Sequence, residues 1–377
     1  MKARICFFLL SVVFLFNTTA KAENEQLDGV DAKAYILIEQ NTGRVLAENN
    51  ADEQLPIASV TKIMTMLLIM EALDNKTIAL DDMVTVSENA MSYGGSTMFL
   101  EAGEELSVND MLKGIAVASA NDGCVAMAEH LTGSESAFVD MMNNRAKELG
   151  MNNTNFLNTN GLDEDNHYSS ARDVALMSRE LLKHPKITDY TSIWTDELRG
   201  GKFQLANTNK LIRFYTGANG LKTGSTSKAL CCLSASAKRD NMQLIAVVLG
   251  APTSDKRFAS ARALLDYGFA KYKVKELVKA NENLCSADIV NGTEKNVNGI
   301  AKESKTALFE KSNNKEIEKR IFIESYINAP IKKGDVLGYI EFVSDGKVVD
   351  KVDIISEKAV DKKRIGQIMK DIMVGFM

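Results

Sequence analysis

A serine followed three residues later by a lysine places an alcohol beside an amine, and the chain offers that spacing four times, beginning at Ser59, Ser225, Ser312 and Ser344. A serine hydroxyl attacks a carbonyl only after a base takes its proton, and a lysine can be that base only when its pKa has been lowered. Context separates the four. From Ser59 to Leu73 the sequence carries Ile63, Met64, Met66, Leu67, Leu68 and Met70, apolar on nearly every face. That pattern predicts a helix buried all round, with Ser59 and Lys62 in its first turn. Burial disfavours the ammonium form of Lys62, and the helix N-terminus favours negative charge developing at Ser59. The other three serines sit in polar or turn-like stretches.

Two further motifs supply what this pair lacks. Ser119-Ala120-Asn121 lies between predicted helices, and Lys222-Thr223-Gly224, a triplet found once, begins a strand-rich region. Ser119 can relay a proton between the amine and a leaving group, and the Asn121 amide can hold a substrate backbone and Lys62. Lys222 and Thr223 offer a charge and a hydroxyl to a substrate carboxylate, while Gly224 lets the strand approach an acyl chain closely. The backbone N–H groups of Ser59 and Ser225 are the expected oxyanion hole.

The elements that must carry these residues can be read from periodicity. Ala34 to Ala47 reads as a hairpin turning at Asn41-Thr42-Gly43-Arg44. A helical region runs from Val108 to about Lys183, broken at Ser119–Gly123 and across the polar stretch Met151–Ser170. Ala229–Ala237 and Leu244–Leu249 form a second hairpin around Lys238–Asn241, and Phe258–Lys271 is a closing helix. Beyond about Lys275 short alternating runs predict a small β domain. In the last segment Ile365, Ile368, Met369, Ile372, Met373 and Phe376 line one helical face, with Lys362, Lys363, Arg364 and Lys370 around it, which predicts a helix lying on a membrane surface. The expected fold class is α/β (α+β), an antiparallel sheet flanked by helices, with a small C-terminal all-β domain and a terminal amphipathic helix.

At the other end, Lys2 and Arg4 precede the apolar run Ile5–Phe16 and the small-x-small site Ala20-Lys21-Ala22, an export signal cut before Glu23. The run is too short for the roughly 20 apolar residues of a spanning helix. The expected division is signal peptide 1–22, catalytic domain 23–275, β-rich domain 276–357 and membrane-associating helix 358–377, with the protein peripheral on the outer face of the cytoplasmic membrane or in the cell-wall space. A net charge of -5 gives no general electrostatic reason to bind nucleic acid. Cys124, Cys231, Cys232 and Cys285 have no metal-ligand spacing, and the three histidines form no H-E-x-x-H, so neither metal nor cofactor is expected.

The ordered set S-x-x-K, S-x-N, K-T-G follows the signature of penicillin-binding proteins and class A β-lactamases. With Ile57-Ala58-Ser59-Val60-Thr61-Lys62, Ser119-Ala120-Asn121-Asp122, His167-Tyr168-Ser169-Ser170-Ala171 and Gly220-Leu221-Lys222-Thr223-Gly224, the chain resembles the low-molecular-mass penicillin-binding proteins, D-alanyl-D-alanine carboxypeptidases of the bacterial cell wall. The resemblance runs from about Asp31 to Tyr272. It implies a β-lactamase/transpeptidase-like domain that removes the terminal D-alanine from peptidoglycan pentapeptide stems through an acyl-enzyme at Ser59. It further implies covalent inhibition by β-lactam antibiotics and a place for Arg257 near the substrate carboxylate. Asn219 stands where the family often has Asp, which puts local hydrogen bonding there in question. A class A β-lactamase also needs a glutamate in E-x-x-L-N. The nearest match, Glu148 to Asn152, has Met151 for Leu and Gly150 as a helix C-cap, so fast β-lactam turnover is not expected. An endopeptidase or transpeptidase, and a non-catalytic penicillin-binding scaffold, are the alternatives. Cys124 reads as a small buried side chain, and His167 as a residue that positions the loop beside the site.

Overall fold

Continuous apolar runs make the centre of the molecule a sheet covered on both faces. The computed structural model describes residues 27–312, 316–324 and 326–366. Five antiparallel strands lie in the order Val45–Asn49, Ala34–Glu39, Met242–Ala251, Leu230–Arg239 and Ala218–Thr226. Every residue of Ala34–Glu39 and Met242–Ala251 is buried, as strands sandwiched between two layers require. Successive side chains feed opposite cores: Ile36, Ile38, Ile245 and Val247 enter one, Tyr35, Leu37, Leu244 and Ala246 the other. The first core packs against the helices Lys62–Asp74 and Ala171–Leu181, the second against Ser254–Lys271. This closing helix starts before Phe258 because the Thr253 hydroxyl caps it, accepting from Lys256 N at 3.2 Å.

The strand bearing Lys222-Thr223-Gly224 lies at the edge of the sheet. Its outer side has no strand partner among the described residues, so its peptide groups can pair with an extended ligand. Against it packs the helix Lys62–Asp74, buried from Lys62 to Met70 as its all-round apolar sequence demands. The second helical group contains Val108–Lys113, a π-turn at Gly114–Ala118, Asn121–Thr132 and Glu135–Glu148. Its break, expected over Ser119–Gly123, is confined to Ser119 and Ala120. Ser119 takes a left-handed conformation, and Asp122 supports the next first turn by accepting from Gly123 N at 2.9 Å.

The first strand of the β region, Tyr272–Val278, follows directly on the closing helix, and Tyr272 is buried in the second core together with Leu308. Tyr272–Val278 pairs with Lys305–Glu310, and a six-stranded sheet completes the region. Residues 358–363, expected to open a helix, stay with this sheet. Val360 bridges Ile331, Lys362 bridges Gly292, and Lys363 N donates to Asn291 O at 2.8 Å. Ile368, Met369, Ile372, Met373 and Phe376 of the expected amphipathic face lie outside the described residues, as does the expected signal. No helix among the described residues is long and apolar enough to cross a membrane.

Candidate active site

Ser59 sits in a single 3₁₀ turn, Ala58–Thr61, where residues three apart eclipse one another. Lys62 Nζ therefore lies 2.9 Å from Ser59 Oγ. The turn is held from outside. Thr61 Oγ1 donates to Ala58 O at 2.9 Å, and the same oxygen is 2.8 Å from His167 Nε2. Because His167 Nδ1 accepts from Leu157 N at 3.1 Å, the ring proton resides on Nε2 and points at Thr61. Burial lowers the His167 pKa to about 4, which keeps the ring neutral. These bonds tie His167 to the Ser59 turn and to Leu157 in its own loop. Gly161 closes the arrangement: a Cβ there would come within 1.9 Å of Ala58 O.

Lys62 is fully buried, and its Nζ touches three oxygens: Ser59 Oγ, Asn121 Oδ1 at 2.6 Å and Asn160 O at 2.7 Å. Burial lowers its pKa to about 8, opposed by Cys124 and Asp122. Two of the three oxygens can only accept, whereas the serine hydroxyl can also donate. After one proton leaves the ammonium, the two remaining N–H groups stay on Asn121 and Asn160, and the lone pair is left facing Ser59. The Asn121 amide cannot flip, because its Nδ2 donates to Gly94 O at 2.7 Å. Asp122 pins the same wall by accepting from Met98 N and Leu100 N.

The edge strand closes the opposite wall. A Cβ on Gly224 would lie 2.9 Å from Ser59 N and 2.8 Å from Ile57 O, so only glycine allows this approach of the strand to Ser59. Thr223 Oγ1 is 2.6 Å from Thr208 Oγ1. Lys222 is buried, with Nζ donating to Thr223 O at 2.9 Å, rather than reaching outward. Burial, then the neighbouring Lys62, holds its pKa well below the usual lysine range. Arg257 donates from Nη1 to Gly224 O at 3.0 Å and from Nη2 to Ser254 Oγ at 3.1 Å, while its buried Nε has no partner among the described residues. Ser225 is exposed on the strand, its Oγ 3.8 Å from Cys231 Sγ. Ser119 is buried beside Asn121, and its hydroxyl makes no hydrogen bond with any described residue.

Several partners escaped the sequence reading. Gly94 and Asn160 act through backbone carbonyls, which no residue type announces, and Thr208 stands in no motif. At Asn219 the hydrogen bonding in question is complete: its Oδ1 accepts from Ser236 Oγ at 2.8 Å and its Nδ2 donates to Gln243 Oε1 at 3.1 Å. Glu148 ends its helix in an ion pair with Arg145 at 3.0 Å, with Gly150 left-handed behind it. Cys124 is buried in the core, where burial pushes its thiol up to about 12.

Residues 18–253 match the D-alanyl-D-alanine carboxypeptidase family, and residues 272–362 match the penicillin-binding protein 5 C-terminal domain. The chain belongs to the D-alanyl-D-alanine carboxypeptidase family. The D-alanyl-D-alanine carboxypeptidase DacF of Bacillus subtilis (strain 168) is 47% identical over 340 residues, covering 89% of this chain and 87% of that protein. Penicillin-binding protein 5 from Haemophilus influenzae superposes with a TM-score of 0.74 at 32% identity, over 88% of this chain and 98% of that one. Penicillin-binding protein D2 from Listeria monocytogenes, solved in its ampicillin-bound form, gives a TM-score of 0.56 at 34% identity, over 64% of this chain and 98% of that one. The protein is thus a penicillin-binding D-alanyl-D-alanine carboxypeptidase, a hydrolase of the serine type.

Proposed function

We propose that Ser59 is the acylated nucleophile and Lys62 its base, acting on the D-Ala-D-Ala terminus of peptidoglycan pentapeptide stems. The neutral Lys62 amine takes the hydroxyl proton as Ser59 Oγ bonds to the carbonyl carbon of the penultimate D-alanine. The N–H groups of Ser59 and Ser225 receive the oxyanion, in keeping with the close fit of Gly224 to Ser59 N. Cleavage of the C–N bond then sends the proton from Lys62 to the departing amine, with Ser119 as relay. Water, deprotonated by the same amine, hydrolyses the ester and returns the proton to Ser59. Thr223, paired with Thr208, and the buried Arg257 guanidinium receive the terminal carboxylate, with Lys222 behind them bonded to Thr223 O. A β-lactam enters the same cycle, but its leaving amine stays tethered to the acyl group.

The single observation that supports this reading most is the three-oxygen cradle of Lys62. Ser59→Ala should release no D-alanine from a pentapeptide while remaining folded, and release at the normal rate would refute it. A cleaved signal at 1–22 and a membrane-lying segment after Gly366 complete the proposal, placing the enzyme outside the cytoplasmic membrane beside its polymer.

A further inference from the structure

Lys62 presents its lone pair to Ser59 only while two oxygens hold its N–H groups, and both depend on loops. Asn121 Oδ1 is oriented by Gly94 O, and the second oxygen is Asn160 O itself. Glu135, outside all three motifs, touches the residue before each of these carbonyls. Its Oε2 accepts from the Tyr93 hydroxyl, and its Oε1 accepts from Thr159 Oγ1 at 2.9 Å and Thr159 N at 3.3 Å. One carboxylate therefore ties together the loops ending in Tyr93-Gly94 and Thr159-Asn160.

The carboxylate is itself fixed. Glu135 is the first residue of the helix Glu135–Glu148, capped by Ser134, whose hydroxyl accepts from Ala137 N at 3.2 Å. A helix N-terminus favours a negative charge there. Burial and the bond to Glu135 push the Tyr93 phenol far above its ordinary range, so it remains a donor. On the far side Thr159 O accepts from Thr65 Oγ1 at 2.6 Å, joining the second loop to the nucleophile helix.

We propose that Glu135 is a positioning residue that, through Tyr93 and Thr159, holds the carbonyls of Gly94 and Asn160 where they aim the Lys62 amine at Ser59. The inference rests on reading Lys62 as the base. The charged and titratable groups facing Lys62 are Asp122 and Cys124 on the helix Asn121–Thr132, and Lys222 on the edge strand. Glu135 itself bears on Cys124, and losing its negative charge can only lower a neighbouring lysine's pKa, so an upward move of the Lys62 titration reports on the loops.

The test is the rate constant for acylation by a penicillin, per titratable site, across pH in the full chain. In Glu135→Ala the loops admit water around Lys62, so the midpoint should move up by about one unit and the plateau fall about tenfold. Glu135→Gln, which keeps an oxygen acceptor, should recover most of both. Arg145→Ala, which breaks ion pairs of the same helix to Glu71, Glu148 and Glu180, should keep the wild-type midpoint. Should Glu135→Ala not fold, Tyr93→Phe cuts one arm and must shift the midpoint the same way. A wild-type midpoint in these variants, or an equal shift in Arg145→Ala, overturns the proposal. Acylation of Lys62→Ala at the wild-type rate would instead defeat the reading of Lys62, leaving the two failures distinct.

Discussion

Lys62 Nζ and Asn121 Oδ1 are 2.6 Å apart although 59 positions separate them in the chain. The contact joins the nucleophile helix to the neighbouring helical group, and it decides which hydrogen the amine can spare. A lysine buried without a carboxylate partner loses much of its preference for the charged form. Asn121 turns that instability into direction, since its amide oxygen can only accept.

The first consequence is a pH profile. Lys62 must be neutral to act, and burial lowers it to about 8. Acylation should fall roughly tenfold for each unit below that value and level off above it. Stopped-flow measurement with a fluorescent penicillin checks this, and a flat rate through that range would contradict it.

Gly224→Ala should separate fold from activity. The added carbon would lie 2.9 Å from Ser59 N and 2.8 Å from Ile57 O, backbone atoms that cannot rotate away. The strand must then retreat from the oxyanion hole, lowering acylation by about 10²-fold. Its ladder with Leu230–Arg239 is long enough to keep the protein folded by thermal melting. Acylation at the wild-type rate would show that the approach is dispensable.

His167 gives the fold an acid sensitivity. Its pKa is lowered from 6.5 to about 4 by burial, so the unfolded chain binds the proton more tightly between those values. Its contribution is present above 6.5 and is lost as pH falls toward 4, by roughly 3 kcal/mol in all. His167→Gln should flatten that part of the stability curve in urea titrations. An unchanged acid slope would remove His167 from the explanation.

The membrane proposal is tested by ending the chain after Gly366. Such a variant keeps the bridges of Val360 and Lys362 to the β region, so only the segment beyond is lost. It should leave the membrane fraction of cells and retain full carboxypeptidase activity. Persistence with the membrane would assign the attachment elsewhere.

What the sequence disclosed follows from which atoms do the chemistry. In the proposed mechanism Ser59, Lys62, Asn121 and Thr223 act through side chains, and the all-round apolar run from Ile63 to Met70 announces a buried helix, so motif and setting agree. Gly94 and Asn160 contribute carbonyls that every residue possesses, and only the fold brings them to Lys62. The direction of Lys222 was equally hidden. The strand is buried on both faces from Gly220 to Gly224, so no alternation in the sequence tells which side Lys222 takes. The six apolar residues near the C-terminus gave a helical period, but a period cannot say where extended chain gives way to helix, and Val360 to Lys363 remain with the sheet.

The most direct test is to incubate the full chain with a penicillin, digest it and locate the covalent adduct by mass spectrometry. A single adduct on the peptide containing Ser59, absent in Ser59→Ala and greatly slowed in Lys62→Ala, is the predicted result. An adduct on Ser119, Ser225 or any other residue, with Ser59 unmodified, would contradict the account.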